Sequence, residues 1–398
     1  MTVDESRKVG DTIGWQLRRL RRLRGLTQEE LADRANVSRD LVAKLEQGRR
    51  QTARITSLES LARALDVELS VLVTRPAPAR EPIARRTDRC SIEAAAIRGR
   101  DTTMTNAAAF VDRVHRAYQA ARYGEAAGLL PSVSYTVDAL VADGPADMRR
   151  EALRLQASIA VAAAKLATKT GDAAAGRLAA ERARDAAEAA EDPFGRAASE
   201  YQLICALLRT GGQEDRDNAE ELAVSCAGDL RGADASSLTW RGALTLIGAI
   251  IAARRGDRTE ACRRLDHAED LARCLGADGN IGWTAFGPTN VMIHRVSATV
   301  ALDDPRAALA TAEQIDITAI PAGLHGRQAQ FHLDSAWAHA QLREDSLAVI
   351  HLLDTERVAP EFVLTNPNVR TVIRGLLERE RRPVPGLRGL ALRAGVAA

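Results

Sequence analysis

The stretch 27-TQEELADRANVSRDLVAKLEQG-48 reads as two short helices, broken after barely two turns at Asn36 and Val37. Leu31, Ala35, Val37, Val42 and Leu45 fall at the inward positions of two steeply crossing helices, and the small Ala32 lets their axes approach. Thr27 can cap the first helix, with Glu30 three residues on completing a capping box, and Ser38 can cap the second. Asn36 stands at the corner, where a left-handed backbone is expected and Asn tolerates it better than most residues. The pattern predicts a helix-turn-helix whose second helix tips outward, its first turn free to enter a DNA major groove.

Working outward, "DTIGWQLRRLRRLRG" (11–25) places Ile13, Leu17, Leu20 and Leu23 on one helical face, with Arg18, Arg19, Arg21 and Arg22 elsewhere on the surface. "ITSLESLARALD" and "VELSVLV" add a fourth helix and a short closing one, so residues 1–74 are expected to form a five-helix unit. Pro76, Pro78 and Pro82 then forbid regular helix, which marks 75–99 as an extended, Arg-rich linker. Its arginines either lie against DNA backbone or merely keep the linker extended.

From 100 to 398 the text becomes paired amphipathic helices. Small residues at 126, 176, 219, 261, 308 and 348 each follow a Gly-, Asp- or Glu-marked turn, at Gly124, Gly171, Gly212, Gly256, Asp303 and Glu344. Each pair can bury its apolar face only against the next, so a right-handed solenoid with an inner and an outer wall is expected. The fold class is therefore all-α.

At 398 residues and 46% hydrophobic the chain is long enough for two or more cores. No run of about 18 apolar residues suggests a membrane span and "MTVDESRKVG" lacks the apolar core of a signal peptide, so a cytoplasmic protein is expected. Cys90, Cys205, Cys226, Cys262 and Cys274, odd in number and scattered, read as reduced, buried thiols. The net charge of +2 hides an asymmetry: residues 1–100 hold 21 Lys and Arg against 14 Asp and Glu, and the remainder 34 against 39. The basic end suits a polyanion and the acidic, Ala-rich remainder a regulatory body.

Residues 12–73, through "LTQEELADRANVSRDLVAKLEQGRR", resemble the Cro/C1-type (XRE) helix-turn-helix domain, which has a lambda-repressor-like fold. The remainder is similar to the tetratricopeptide-like bodies of bacterial regulators, and "FGPTNVMIHRVSATVALDDPRAAL", with four lysines against 51 arginines, resembles actinobacterial members. By position in the family pattern, Arg39, Asp40 and Lys44 are implied to read bases, and Ser38 and Gln28 to meet phosphates. The chemistry fits: Arg39 can donate twice to guanine, Asp40 can accept from cytosine, orient Arg39 or only cap its helix, and helix N-termini offer free amides. Arg49, Arg50 and Arg54 suit backbone contacts, and Glu46 a structural pairing within the head. One head covers few base pairs, so a homodimer on a double-stranded operator is expected, with the body as dimeriser.

No catalytic, phosphate-loop or zinc spacing occurs in the body, so no enzyme activity, cofactor or metal is expected. His325, His332 and His339 lie seven apart, about 10 Å between neighbours along a helix, and read as one helix stripe rather than one metal site. If the first helix of each pair lines the inner wall, Tyr201, Gln202, Trp240, Arg241, Asn290, His294, Gln328 and His332 are candidate ligand contacts, for a peptide, small molecule or partner protein. Alternatively they satisfy one another between repeats. The expected function is a transcription regulator whose body dimerises and senses a ligand; the competing reading is a docking scaffold or antitoxin-like partner-binding protein that autoregulates its operon.

Overall fold

A computed structural model describes residues 13–24, 26–47, 53, 55–65, 67, 103–210 and 212–396. Their regular structure is all helical. The N-terminal unit contains α1 (Ile13–Leu23), α2 (Gln28–Ala35), α3 (Arg39–Glu46) and α4 (Ile55–Ala64). Residues 68–73 of the expected closing helix, the 75–99 linker and Arg49, Arg50 and Arg54 lie outside the described residues. Leu17, Leu31, Val42, Leu45, Leu58, Leu61 and Leu65 fill the core around Ala32 and Ala35, while Val37 is only half-buried. Close approach also depends on Gly14, where a Cβ would stand 1.8 Å from the Leu45 carbonyl oxygen.

Six helix pairs follow: α5 (Met104–Gln119) with α6 (Tyr123–Asp143), α7 (Arg149–Thr170) with α8 (Ala173–Ala189), α9 (Pro193–Thr210) with α10 (Gln213–Asp229), α11 (Ala235–Arg254) with α12 (Arg258–Leu275), α13 (Pro288–Ala301) with α14 (Pro305–Ala312), and α15 (His325–Gln341) with α16 (Asp345–Val358). Three short helices, α17 (Pro360–Thr365), α18 (Pro367–Glu378) and α19 (Leu387–Arg393), complete the body. The small residues at 126, 176, 219, 261, 308 and 348 are all buried in second helices, where little side-chain volume lets the pairs close. Gly124 falls inside α6 rather than in the turn, because Tyr123 already begins the helix and buries its ring.

The stack is not open-ended. The first helices α5, α7, α9, α11, α13 and α15 each pack on the next, and α15 returns to pack on α5. One continuous core accordingly joins Val111 of α5 and Val133 of α6 to Leu333 of α15, Val372 of α18 and Leu390 of α19. The repeats close into a ring, with the first helices as its inner layer. The segment 276–287, between α12 and α13, lies against that layer. The Trp283 ring stacks on His115 of α5 at 4.9 Å, Asn280 and Gln119 exchange amide hydrogen bonds of 2.8 and 2.7 Å, and Lys165 of α7 donates to the Trp283 carbonyl at 3.4 Å. Phe286 fills the space that Gly242 of α11 leaves, and Trp283 and Ala285 take left-handed backbones, φ 60° and 58°.

Among the described helices, α11 is long and apolar enough to cross a membrane by length and composition, and 67% of that window is buried inside the body. One expectation needs correcting. Cys226 is buried and Cys205 half-buried, but Cys262 and Cys274 are exposed because both fall on the outward face of α12; Cys90 is outside the described residues.

Candidate nucleic-acid interface

The turn between α2 and α3 is built as its residues dictate. The Thr27 hydroxyl accepts from the Glu30 amide at 3.2 Å while the Glu30 carboxylate accepts from the Thr27 amide at 2.7 Å, a complete capping box. Asn36 takes φ 51° and ψ 47°, and the Val37 amide closes back onto the Ala32 carbonyl at 3.0 Å. Ser38 then caps α3, its hydroxyl accepting from the Leu41 amide at 3.2 Å. These contacts aim α3 away from α2 and leave its first turn bare.

Ser38, Arg39, Asp40 and Lys44 are all exposed on that projecting face. Since Ser38 already caps the helix, Asp40 is not its cap; it pairs with Lys44 one turn on, 2.7 Å apart. Arg39 forms no ion pair with a described residue. Eight residues of α3 span about 12 Å, the width of a B-form major groove. Gln47, exposed at the end of the same face, was not singled out from the sequence, where it reads only as a polar residue before Gly48.

Behind α3 lies a lock that sequence reasoning saw only in half. Glu46 pairs within the head as expected, accepting from Arg21 Nε at 2.6 Å, Arg21 Nη2 at 2.9 Å and Gln28 Nε2 at 2.7 Å. Arg21 is therefore not a surface arginine: it is buried and also donates to the Leu26 carbonyl at 2.7 Å. Burial pushes the Glu46 carboxyl up, but the hydrogen bonds from Arg21 and Gln28 outweigh it and hold the group below its usual range. Gln28, expected on a phosphate, has its side-chain nitrogen committed to Glu46, so it can offer a phosphate its backbone amide at the start of α2.

The candidate ligand residues of the body do not form one set. Tyr201 meets Trp240 edge-on at 6.5 Å on the inner layer, and His294 Nδ1 pairs with the Asn290 carbonyl at 2.8 Å on α13. Gln202, Trp240, Asn290 and His294 are buried, and the Asn290 side-chain oxygen has no hydrogen-bond partner. Arg241, one residue on from Trp240 and so turned about 100° away on its helix, lines a separate cleft of about 460 Å³ between α10, α11 and α12, with Arg263, Arg264 and His267. Gln328 is half-buried on α15. His332 pairs instead with His351 of α16 at 3.2 Å, and His351 also stacks on His339 at 5.3 Å. The sequence stripe thus gains a partner histidine from the next helix that its own spacing could not reveal. The described residues contain no group of His, Cys, Asp and Glu side chains arranged to hold a metal.

A profile of the helix-turn-helix domain matches residues 12–72. Over 62 residues, 16% of this chain, the sequence is 47% identical to y4dJ, an HTH-type transcriptional regulator of Sinorhizobium fredii, and spans 79% of that protein. It is 37% identical over 62 residues to the immunity repressor protein of Bacillus phage phi105, spanning 42% of its length. Among solved structures, PlcR of Bacillus thuringiensis, crystallised with the peptide PapR7 and DNA, is similar at 13% identity with a TM-score of 0.34, over 85% of this chain and 99% of that one. Through its N-terminal domain the chain belongs to the helix-turn-helix family of transcriptional regulators.

Proposed function

We propose that the chain binds a double-stranded operator as a homodimer, reading bases with the first turn of α3, and that its ring-shaped body dimerises and senses a ligand that alters the spacing of the two heads. The observation that carries the DNA-binding part is the bare first turn of α3, capped by Ser38 and aimed outward by Asn36, with Arg39 unpaired among the described residues. Arg39 donates to a base, Asp40 and Lys44 brace or extend that contact, and Ser38 and the α2 amides meet phosphates. Arg49, Arg50 and Arg54 add backbone contacts. The inner layer of the ring supplies the ligand site, through residues such as Tyr201, Trp240 and Asn290. A ligand acts only if it binds the two arrangements of the body unequally, and the 75–99 segment passes the difference to the heads.

The test begins by mapping the duplexes that the full chain selects from a random pool. Arg39→Ala is expected to lose about 1 to 3 kcal/mol on the selected site and to relax preference at the contacted base, whereas Arg50→Ala weakens all duplexes alike. Equal losses on selected and random DNA for Arg39→Ala overturn the assignment.

A further inference from the structure

Many charged groups of the body are paired. Arg264 lies 2.7 Å from Glu220 and 2.6 Å from Glu260, Arg379 is 2.6 Å from Asp345, and Arg393 is 2.6 Å from Glu356. Five cations of the first helices are not. Lys165 and Lys169 of α7, Arg209 of α9, Arg254 of α11 and Arg327 of α15 form no ion pair among the described residues. Lys165 has only the Trp283 carbonyl at 3.4 Å, and Lys169 sits 4.0 Å above the Phe362 ring and 5.8 Å from that of Tyr123.

The five converge. Lys169, Arg209 and Arg254 occupy the last turns of α7, α9 and α11, which pack on one another in that order. Gly326, next to Arg327, lies beside the Tyr123 hydroxyl, whose ring Lys169 also approaches. Cys205 of α9 accordingly feels the charges of Arg327, Lys165, Arg209 and Arg254 together, and Lys169 those of Arg209 and Arg327. Burial, with Arg209 and Arg327 adding, pulls Lys169 down to about 7, and burial pulls Lys165 down to about 8. Arg254 is likewise drawn down by desolvation, although its side chain keeps exposed surface. Lys165 is buried, Lys169 and Arg327 are half-buried, and Arg209 and Arg254 are exposed, so the cluster runs from the interior of the body to solvent. Asp334 acts on Arg254, but its two oxygens are already taken by Ser297 at 2.5 Å and Gln330 at 2.8 Å. The C-terminal dipoles of α7, α9 and α11, whose last turns hold Lys169, Arg209 and Arg254, ease the repulsion by a fraction of a charge each. That does not replace counterions.

We propose that the inner layer of the ring binds a small, multiply charged anion bearing phosphate or carboxylate groups, held by Lys165, Lys169, Arg209, Arg254 and Arg327. The proposal rests on the reading of the body as a ligand sensor and gives its ligand a chemical class. Planar guanidinium forks on α9, α11 and α15 suit bidentate contact with such groups, and the two lysines add point charges from α7. Tyr118 and Tyr201, both half-buried among these cations, supply hydroxyls.

The test is calorimetric titration of the full chain with inorganic pyrophosphate and, separately, citrate, at constant ionic strength. Expected is binding of one anion per chain, weakened at least about tenfold by Arg209→Gln or Arg254→Gln, as for loss of a charge-assisted hydrogen bond. Arg263→Gln at the α10–α12 cleft and Arg39→Ala on α3 are expected to leave it unchanged. Both inner arginines keep exposed surface, so their neutral variants should melt no lower than the parent. Near pH 7.5 binding should take up protons, seen as a buffer-dependent enthalpy that Lys169→Met reduces. The phosphate and carboxylate arms decide which group the site prefers, and either one binding with this pattern upholds the inference. No binding of either anion, or binding that falls with Arg39→Ala or Arg263→Gln as much as with the inner variants, overturns it. Binding that leaves operator affinity unchanged upholds it while removing the sensory reading.

Discussion

Glu46→Ala is the sharpest probe of how the head holds its recognition helix. The substitution deletes the acceptor of three hydrogen bonds, at 2.6, 2.9 and 2.7 Å, and strands the Arg21 guanidinium, whose side chain is only 11% exposed, against 3% for Glu46. Breaking a buried pair from one side costs about 3 to 5 kcal/mol, most of which is the penalty of the abandoned charge. A head of about 60 residues has roughly 3 to 9 kcal/mol in all, so the variant should lose most of its stability. It should also lose affinity for every duplex, unlike Arg39→Ala. Hydrogen exchange of α1, α2 and α3 amides in the full chain, followed by mass spectrometry across a urea series, measures the loss locally. The paired double variant Arg21→Met/Glu46→Met should recover much of it, since apolar replacement of both partners leaves no orphan charge. The sign with pH follows from Glu46 lying below its usual range. The pair's contribution stands above the ordinary carboxylate pKa of about 4.3 and disappears as pH falls through the lowered value. A loss under about 1 kcal/mol in Glu46→Ala, or single losses that simply add in the double variant, would refute the lock.

Three further outcomes are expected. Ser38→Ala should destabilise the head by about 1 kcal/mol through the lost α3 cap, and Asn36→Val by about 1 to 2 kcal/mol through its left-handed backbone, both read by the same exchange measurement. Gly242→Ala places a Cβ 2.0 Å from Phe286 Cζ, so it should cost about 1 to 3 kcal/mol and raise exchange across 276–287; an unchanged melting temperature contradicts the packing there. Because Lys169 and Lys165 titrate near 7 and 8 when folded but near 10.5 when unfolded, the unfolded chain binds more protons between those values. Body stability should therefore rise from about pH 7 to about pH 8.5, with a smaller rise in Lys169→Met; equal slopes in the two proteins would sink the assignment.

What could be read from the sequence was local chemistry. The α2–α3 turn was legible because Thr27, Glu30, Asn36 and Ser38 act on backbone within three or four residues. Arg21 was not, because it looks like every other arginine in "RRLRRLRG" until Glu46, 25 positions away, selects it. Trp240 and Arg241 looked equivalent, but neighbours on a helix cannot share a face. The inner cations were invisible for a similar reason: they are spread over the ends of four helices among many arginines, and only closure of the ring makes their charges one object. That closure depends on α5 meeting α15, more than 200 positions on, through small and branched side chains that carry no local signal.

The meeting of α5 and α15 has a mechanical consequence. A linear array of repeats can fray inward from either end, each unit leaving almost independently. Here both ends are capped by each other, so Val111, Leu129 and Val133 keep their cover only while Leu333, Phe362 and Ile373 stay in place. Such a body should melt as one cooperative block, and a truncation that removes its last helices should unravel its first.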